Sequence, residues 1–132
     1  MSQAEIETLR AGYEAMSRGD LDAAFREAGP DFEFVPLDKN PIGGTYRGRE
    51  AVRGFFADLW AAFEKVTIEP GPFLEEDDTI VVSLLMTLWP SGSAAKVEMH
   101  ITHVWTIRDR RPVRCRTFLE REEALAVAGL SE

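Results

Sequence analysis

The chain has 132 residues, enough for one ordinary domain with its own hydrophobic core, and we expect a single domain spanning residues 1–132. Its net charge of −8 disfavours nucleic acid and anionic membrane surfaces as partners. Because Cys115 is the only cysteine and neither a secretory signal nor a membrane-spanning apolar run is evident, we expect no disulfide and a cytoplasmic protein.

The first half of the sequence carries helical patterns. Apolar residues recur at steps of three and four over residues 4–17, which predicts a helix, and a shorter helix is expected from Leu21. Alternation over residues 31–36 predicts a short strand. A loop at residues 37–46 leads to a third helix that begins at about Arg49.

The second half is dominated by strand patterns. Turn residues separate the predicted strands, which are residues 66–69, 73–75, 79–89, 96–108 and 113–120. A last helix is expected at residues 121–128, with Gly129 as its stop. Helices followed by a run of strands indicate an α+β fold, in which we expect the helices to cover one face of the sheet.

Four segments, in this order and spacing, resemble the SnoaL-like branch of the nuclear transport factor 2-like superfamily. They are residues 12–23, 44–56, 103–105 and 116–120, and the resemblance covers nearly the whole chain. It implies a cystatin-like, cone-shaped half-barrel, in which a curved, mostly antiparallel sheet is closed by N-terminal helices around an internal pocket. It also implies a homodimer and relatives such as polyketide cyclases and ketosteroid isomerase-like enzymes.

The fifth predicted strand places His103 among large apolar residues. Residues two apart in a strand face the same way, so Ile101, His103 and Trp105 share the face that we expect to be buried, while His100 faces the other way. A pocket histidine can transfer a proton or bind an oxygen. A core histidine with a hydrogen-bond partner is the alternative interpretation.

The last strand presents Arg116 and Phe118 on one face, with Glu120 following on the same side. Charged alternation is typical of a solvent-facing surface. The resemblance instead implies that all three lie inside the cone, with Glu120 at the position of the catalytic aspartate of the cyclases. A structural ion pair between Arg116 and Glu120 is a third interpretation.

Two departures argue against specific reactions of the relatives. Where the ketosteroid isomerase-like base is expected, the sequence has Phe34 to Pro36, and its oxyanion tyrosine falls at Gly12, one residue before Tyr13. Steroid isomerisation is therefore not expected. The Arg-Asp pairs of epoxide hydrolysis are not evident, although Arg116 and Asp38 leave that possibility open.

These patterns favour a pocket for a small apolar or polycyclic molecule, with His103 and Glu120 as candidate catalytic groups. The expected ligand-binding residues are Tyr13, Phe34, Phe56, Trp60, Ile101, Arg116 and Phe118. The reaction would be a cofactor-independent isomerase, cyclase or lyase step. Ligand binding without turnover and a purely dimerising accessory module are the alternatives.

We expect no metal and no cofactor, because no motif for either is present. We also expect a homodimer, because residues 80–86 are apolar on both faces of the predicted strand.

Overall fold

The computed structural model describes residues 3–37, 44–92 and 95–130. Asp38, considered above as a partner of Arg116, lies outside the described residues. The helices and strands are α1 (Gln3–Ser17), α2 (Leu21–Ala24), β1 (Glu33–Val35), β2 (Tyr46–Arg47), α3 (Arg49–Ala61), β3 (Lys65–Glu76), β4 (Thr79–Trp89), β5 (Val97–Arg108), β6 (Arg111–Phe118) and α4 (Arg121–Ala128).

The six strands form one curved, open sheet in the order β2-β1-β6-β5-β4-β3. All neighbouring strands are antiparallel except β1 and β6, which run parallel. In this register His103 lies between Val82 on β4 and Thr117 on β6. The α+β class and the mostly antiparallel sheet predicted from the sequence are confirmed.

Two details of the strands differ from the prediction. The segments 66–69 and 73–75 belong to one strand, β3, whose register shifts between Pro70 and Phe73. Because β3 is an edge strand, its prolines remove few ladder hydrogen bonds, and the irregularity absorbs the extra residues. The short strand β2 was not predicted, because its first residue, Tyr46, falls in the predicted loop at 37–46; Tyr46 pairs with Phe34.

Helices α1 to α3 pack on one face of the sheet, here called the inner face. The predicted stripe of α1 is buried there, with Tyr13 only 2% exposed. Each of the three long central strands contributes alternate residues to the same core, for example Val82, Ile101 and Cys115. This burial of apolar surface is the main favourable term that holds the helices on the sheet.

The opposite, outer face is covered in part by α4. Ala124 and Leu125 of this helix pack on Val81, Val104 and Phe118. The expectation that all helices cover one face is therefore wrong, because part of the outer side of β4 and β5 is apolar and needs a cover of its own. None of the helices in the described ranges is both long and apolar enough to cross a bilayer.

Candidate functional site

Three side chains form a hydrogen-bonded network on the inner face. The indole Nε1–H of Trp105 donates to the hydroxyl oxygen of Tyr13 at 2.8 Å. The same hydroxyl lies 2.7 Å from Nδ1 of His103. Because the Tyr13 oxygen accepts from the indole, its own hydrogen is free to point at Nδ1. In that arrangement Nδ1 accepts and neutral His103 carries its ring hydrogen on Nε2; the other tautomer, in which Nδ1–H donates to the same oxygen, fits the same distance.

The network follows from two periodicities in the sequence. His103 and Trp105 are two residues apart on β5 and so share the inner face. Tyr13 belongs to the apolar stripe of α1, which packs over this face. Aromatic rings enclose the network, with Phe34 edge-on to His103 at 6.1 Å and Phe32 stacked on Trp105 at 6.1 Å between centroids.

Burial keeps the titratable groups of this region neutral. It lowers the pKa of His103 to about 3, because the protonated ring would lose its hydration. Burial also raises the pKa of Tyr13 well above its ordinary value; the nearby Cys115 adds to this rise, and the hydrogen bond from Trp105 opposes it. The pKa of the Cys115 thiol is likewise raised by burial. At neutral pH these groups therefore act as uncharged hydrogen-bonding groups.

Thr117 extends this polar patch across the strand pair. It lies directly opposite His103 in the β5–β6 ladder, so the two side chains are neighbours on the inner face. Its hydroxyl is buried and has no hydrogen-bond partner in the described part of the chain. Most buried hydroxyls are satisfied, so Thr117 and the neighbouring His103 form a polar spot inside an apolar core.

A cavity of about 330 Å³ opens between α1, α2 and the end of the β5–β6 hairpin. Tyr13, Trp105 and Phe32 contribute to its wall, so the hydrogen-bonded network borders the cavity. Its other walls are rich in small residues, which are Ala11, Gly12, Ala15, Ala23, Ala24 and Ala28. Small side chains on the two facing helices leave space that larger ones would fill.

Four of the predicted ligand-binding residues lie in the inner core, away from the wall of this cavity. Phe56 packs against the rings of Phe34 and Trp60. Trp60 also donates its indole hydrogen to the backbone oxygen of Met16 at 2.9 Å. Ile101 is 5% exposed in the same core. Tyr13 is the predicted ligand-binding residue that lines the cavity. The roles of all five residues as ligand contacts remain predictions.

Arg116, Phe118 and Glu120 do not join His103 in a shared interior hollow. Arg116 pairs with Val104 in the ladder, and Phe118 packs in the outer cluster beneath α4. The Arg116 guanidinium lies over the Phe118 ring at 5.1 Å. Glu120 is exposed at the N-cap of α4. The structure does not bring the three together with His103, because Arg116 and Phe118 occupy the opposite face of the sheet and Glu120 lies beyond the end of β6.

Sequence reasoning missed several residues of the site. Trp105 was placed on the inner face but was not proposed as a site residue, although its position two residues from His103 indicates it. Thr117 could have been found from its place opposite His103 only after the register was known. Gly12 and Ala24 show that small residues alone would not have predicted the cavity, since a Cβ at Gly12 would lie 3.5 Å from the backbone oxygen of Ala24, so the two helices are in close approach there. Within the described ranges, no cluster of three His, Cys, Asp or Glu side chains could hold a metal ion.

The model of the SnoaL-like domain family matches residues 9–115. That match runs from the middle of α1 into β6 and includes Tyr13, His103 and Trp105. Among curated proteins, no sequence matches the chain significantly.

Solved structures share the fold over nearly the full length. TerC, co-crystallised with polyporic acid, is 24% identical, with 96% of each chain covered and a TM-score of 0.75. An NTF2-like protein of unknown function from Burkholderia pseudomallei is also 24% identical, with 97% of this chain and 98% of that chain covered and a TM-score of 0.77. A protein with a ketosteroid isomerase-like fold from Catenulispora acidiphila, in complex with trimethylamine, is 19% identical, with 95% and 94% covered and a TM-score of 0.75.

Proposed function

We propose a function from one premise: the chain belongs to the SnoaL-like domain family. The proposed function is the binding of a small, mainly apolar organic molecule in the cavity between α1 and α2. The observation that carries it is the wall of this cavity, where Tyr13 and Trp105 present aromatic surface backed by a buried hydrogen-bonded network. Concave, mainly apolar walls with a few placed polar groups are typical of small-molecule sites.

The size of the cavity limits the ligand. Its volume of about 330 Å³ is at the lower end of the range of about 300–1,000 Å³ for ligand pockets. A molecule of two or three fused rings is therefore a better fit than a larger polycyclic compound. Two similar structures support the broader idea of a small organic ligand, since TerC was co-crystallised with polyporic acid and the Catenulispora protein is in complex with trimethylamine.

Binding is favoured over proton-transfer chemistry by the charge state of the inner groups. General acid or base catalysis at neutral pH works best with a group whose pKa lies near 7. Burial moves the pKa of His103 to about 3 and that of Tyr13 upward. Glu120, the other predicted catalytic group, is exposed at the start of α4. Acid-base isomerase or cyclase chemistry by the pair His103 and Glu120 would need two groups that lie on opposite sides of the sheet.

Isothermal titration with a panel of bicyclic and tricyclic aromatic ketones, quinones and phenols tests this function. Ala24→Leu adds a branched side chain to the cavity wall and should weaken the binding of the best compound about tenfold or more. Ala61→Leu, on the exposed surface of α3, is the matched control and should bind as the parent chain does. Equal binding by the parent and the folded Ala24→Leu variant would contradict the proposed site.

We also propose that the protein is a cytoplasmic homodimer. The reason given from the sequence was that β4 is apolar on both faces, but α4 of the same chain covers Val81. The remaining support is the partly buried Leu85 farther along the outer side of β4. Sedimentation at micromolar concentration should give a dimer, and a monomer would contradict the proposal.

A further inference from the structure

We infer that the molecule bound in the cavity carries an acidic group, a carboxylate or an acidic hydroxyl, which Arg18 and Arg26 hold at the mouth. This inference rests on the proposed function, since it specifies the ligand of the same cavity. It adds a charge class and an orientation: the ring system lies inside against Tyr13 and Trp105, and the anionic group lies outside.

The cavity has few charged lining residues, and more of them are positive than negative. Arg18, Arg26 and Glu27 are its charged lining residues, and all three are exposed, which places their charges where the cavity meets solvent. Two positive groups and one negative group give this mouth a net charge of +1. The chain as a whole carries −8, so the mouth is locally opposite in sign to the rest of the protein.

The exposed arginines of the described ranges are of two kinds, with and without an ion-pair partner, and those without one also include Arg49, Arg108 and Arg114, which do not line the cavity. Arg10, Arg47 and Arg53 pair with Glu7, Glu33 and Asp22. Over the part of the chain that the structure describes, Arg18 and Arg26 form no ion pair.

The acidic residues nearest in sequence do not neutralise the mouth. Asp22, one helical turn before Arg26, is held by Arg53 at 2.6 Å. Glu14, one turn before Arg18, makes no ion pair with it within 4.0 Å. Because the guanidinium group donates in a planar fork that matches carboxylate geometry, two unpaired arginines beside an apolar cavity favour an amphipathic anion.

The depth of the cavity offers no competing site for the charge. Tyr13 and Trp105 are neutral at physiological pH, and the small residues of α1 and α2 provide only apolar surface. A carboxylate placed there would lose its hydration without a cation to replace it. An acidic ligand therefore lies with its rings inward and its anionic group at the arginines.

A matched pair of probes tests the inference, 2-naphthoic acid and 2-naphthamide, which share the ring system and differ in charge. By isothermal titration, the parent chain should bind the acid about tenfold more tightly than the amide, since each exposed ion pair contributes a few-fold. Raising the salt concentration to about 0.5 M should reduce this preference. The double variant Arg18→Gln, Arg26→Gln should bind the two probes about equally.

Arg108→Gln, Arg114→Gln is the charge-matched control, because both residues are exposed on the outer side of the sheet. This control should keep the preference for the acid. Equal binding of acid and amide by the parent chain, with no effect of the mouth variants, would overturn the inference while cavity binding stands. Failure of both probes to bind the parent chain would overturn the proposed function together with it.

Discussion

The inner and outer faces of the sheet are built from the same strands but bury different kinds of side chain. Inside, Tyr13, His103 and Trp105 are hydrogen-bonded to one another and surrounded by aromatic rings. Outside, Val104 and Phe118 pack beneath the short helix α4. The inner face therefore combines a rigid polar network with a neighbouring cavity, whereas the buried part of the outer face is a small apolar cluster.

This difference shows why residue type alone is a poor guide to a site on a sheet. Arg116 and Glu120 look more reactive than Trp105 in the sequence, but they lie outside. The position of a side chain on one or the other face of a strand decides whether it can reach the cavity.

The largest expected effect comes from deleting one aromatic ring on each face. Phe34→Ala should lower the free energy of unfolding by about 4 kcal/mol, and Phe118→Ala by about 3 kcal/mol. Phe34 should lose more because it contacts Phe55, Phe56 and His103. Urea unfolding of both variants measures the difference. A clearly larger loss for Phe118→Ala would contradict the view that the inner face dominates stability.

Removing the hydroxyl of Tyr13 measures the contribution of the hydrogen bonds to stability separately from that of ring packing. Tyr13→Phe leaves Nδ1 of His103 and the indole hydrogen of Trp105 unpaired in a buried site, so the free energy of unfolding should fall by about 2 kcal/mol. Tyr46→Phe is the matched control, since Tyr46 is only partly buried, and its loss should stay below about 0.5 kcal/mol. Equal losses in the two variants would mean that the network contributes nothing.

Acid should destabilise the protein through His103. Its pKa of about 3 in the folded chain lies below the ordinary value of 6.5, so the unfolded chain binds a proton in this window and the folded chain does not. The contribution of neutral His103 to the free energy of unfolding is complete above pH 6.5 and is lost as the pH falls toward about 3.

Between pH 7 and pH 5 the parent chain should therefore lose about 2 kcal/mol more stability than His103→Gln does. Urea unfolding of both chains at the two pH values measures this difference. Parallel losses would indicate that His103 is not buried in its neutral form.

The smallest effect is expected at Glu120, which precedes α4 on the outer side of the sheet. Glu120→Gln should change the free energy of unfolding by less than about 0.5 kcal/mol, because the side chain is exposed and makes no capping hydrogen bond to α4. The affinity for the best compound of the panel should stay within about twofold of the parent value. A large loss of affinity would indicate that Glu120 contributes to ligand binding and would contradict the separation of the two faces.

The sequence was a good guide to helices, long strands and the inward position of His103, because each rests on a local period. The stripe of α1 and the alternation of β5 are visible without coordinates. The outer position of Phe118 was misassigned, because alternation within β6 separates two sets of residues without showing which set faces inward. The cavity could not be predicted, because its existence depends on the distance between α1 and α2. That distance is set by tertiary packing, which no local sequence pattern indicates.

The central claim is that the ligand binds in the cavity between α1 and α2, against Trp105. The indole N–H resonances of Trp60, Trp89 and Trp105 can be followed by NMR while the tightest-binding compound of the panel is added, with tryptophan-to-phenylalanine variants to assign them. We expect the Trp105 resonance to shift most, and that of Trp89, at the end of β4, to stay in place. Saturable binding that shifts Trp89 and leaves Trp105 unchanged would contradict the claim.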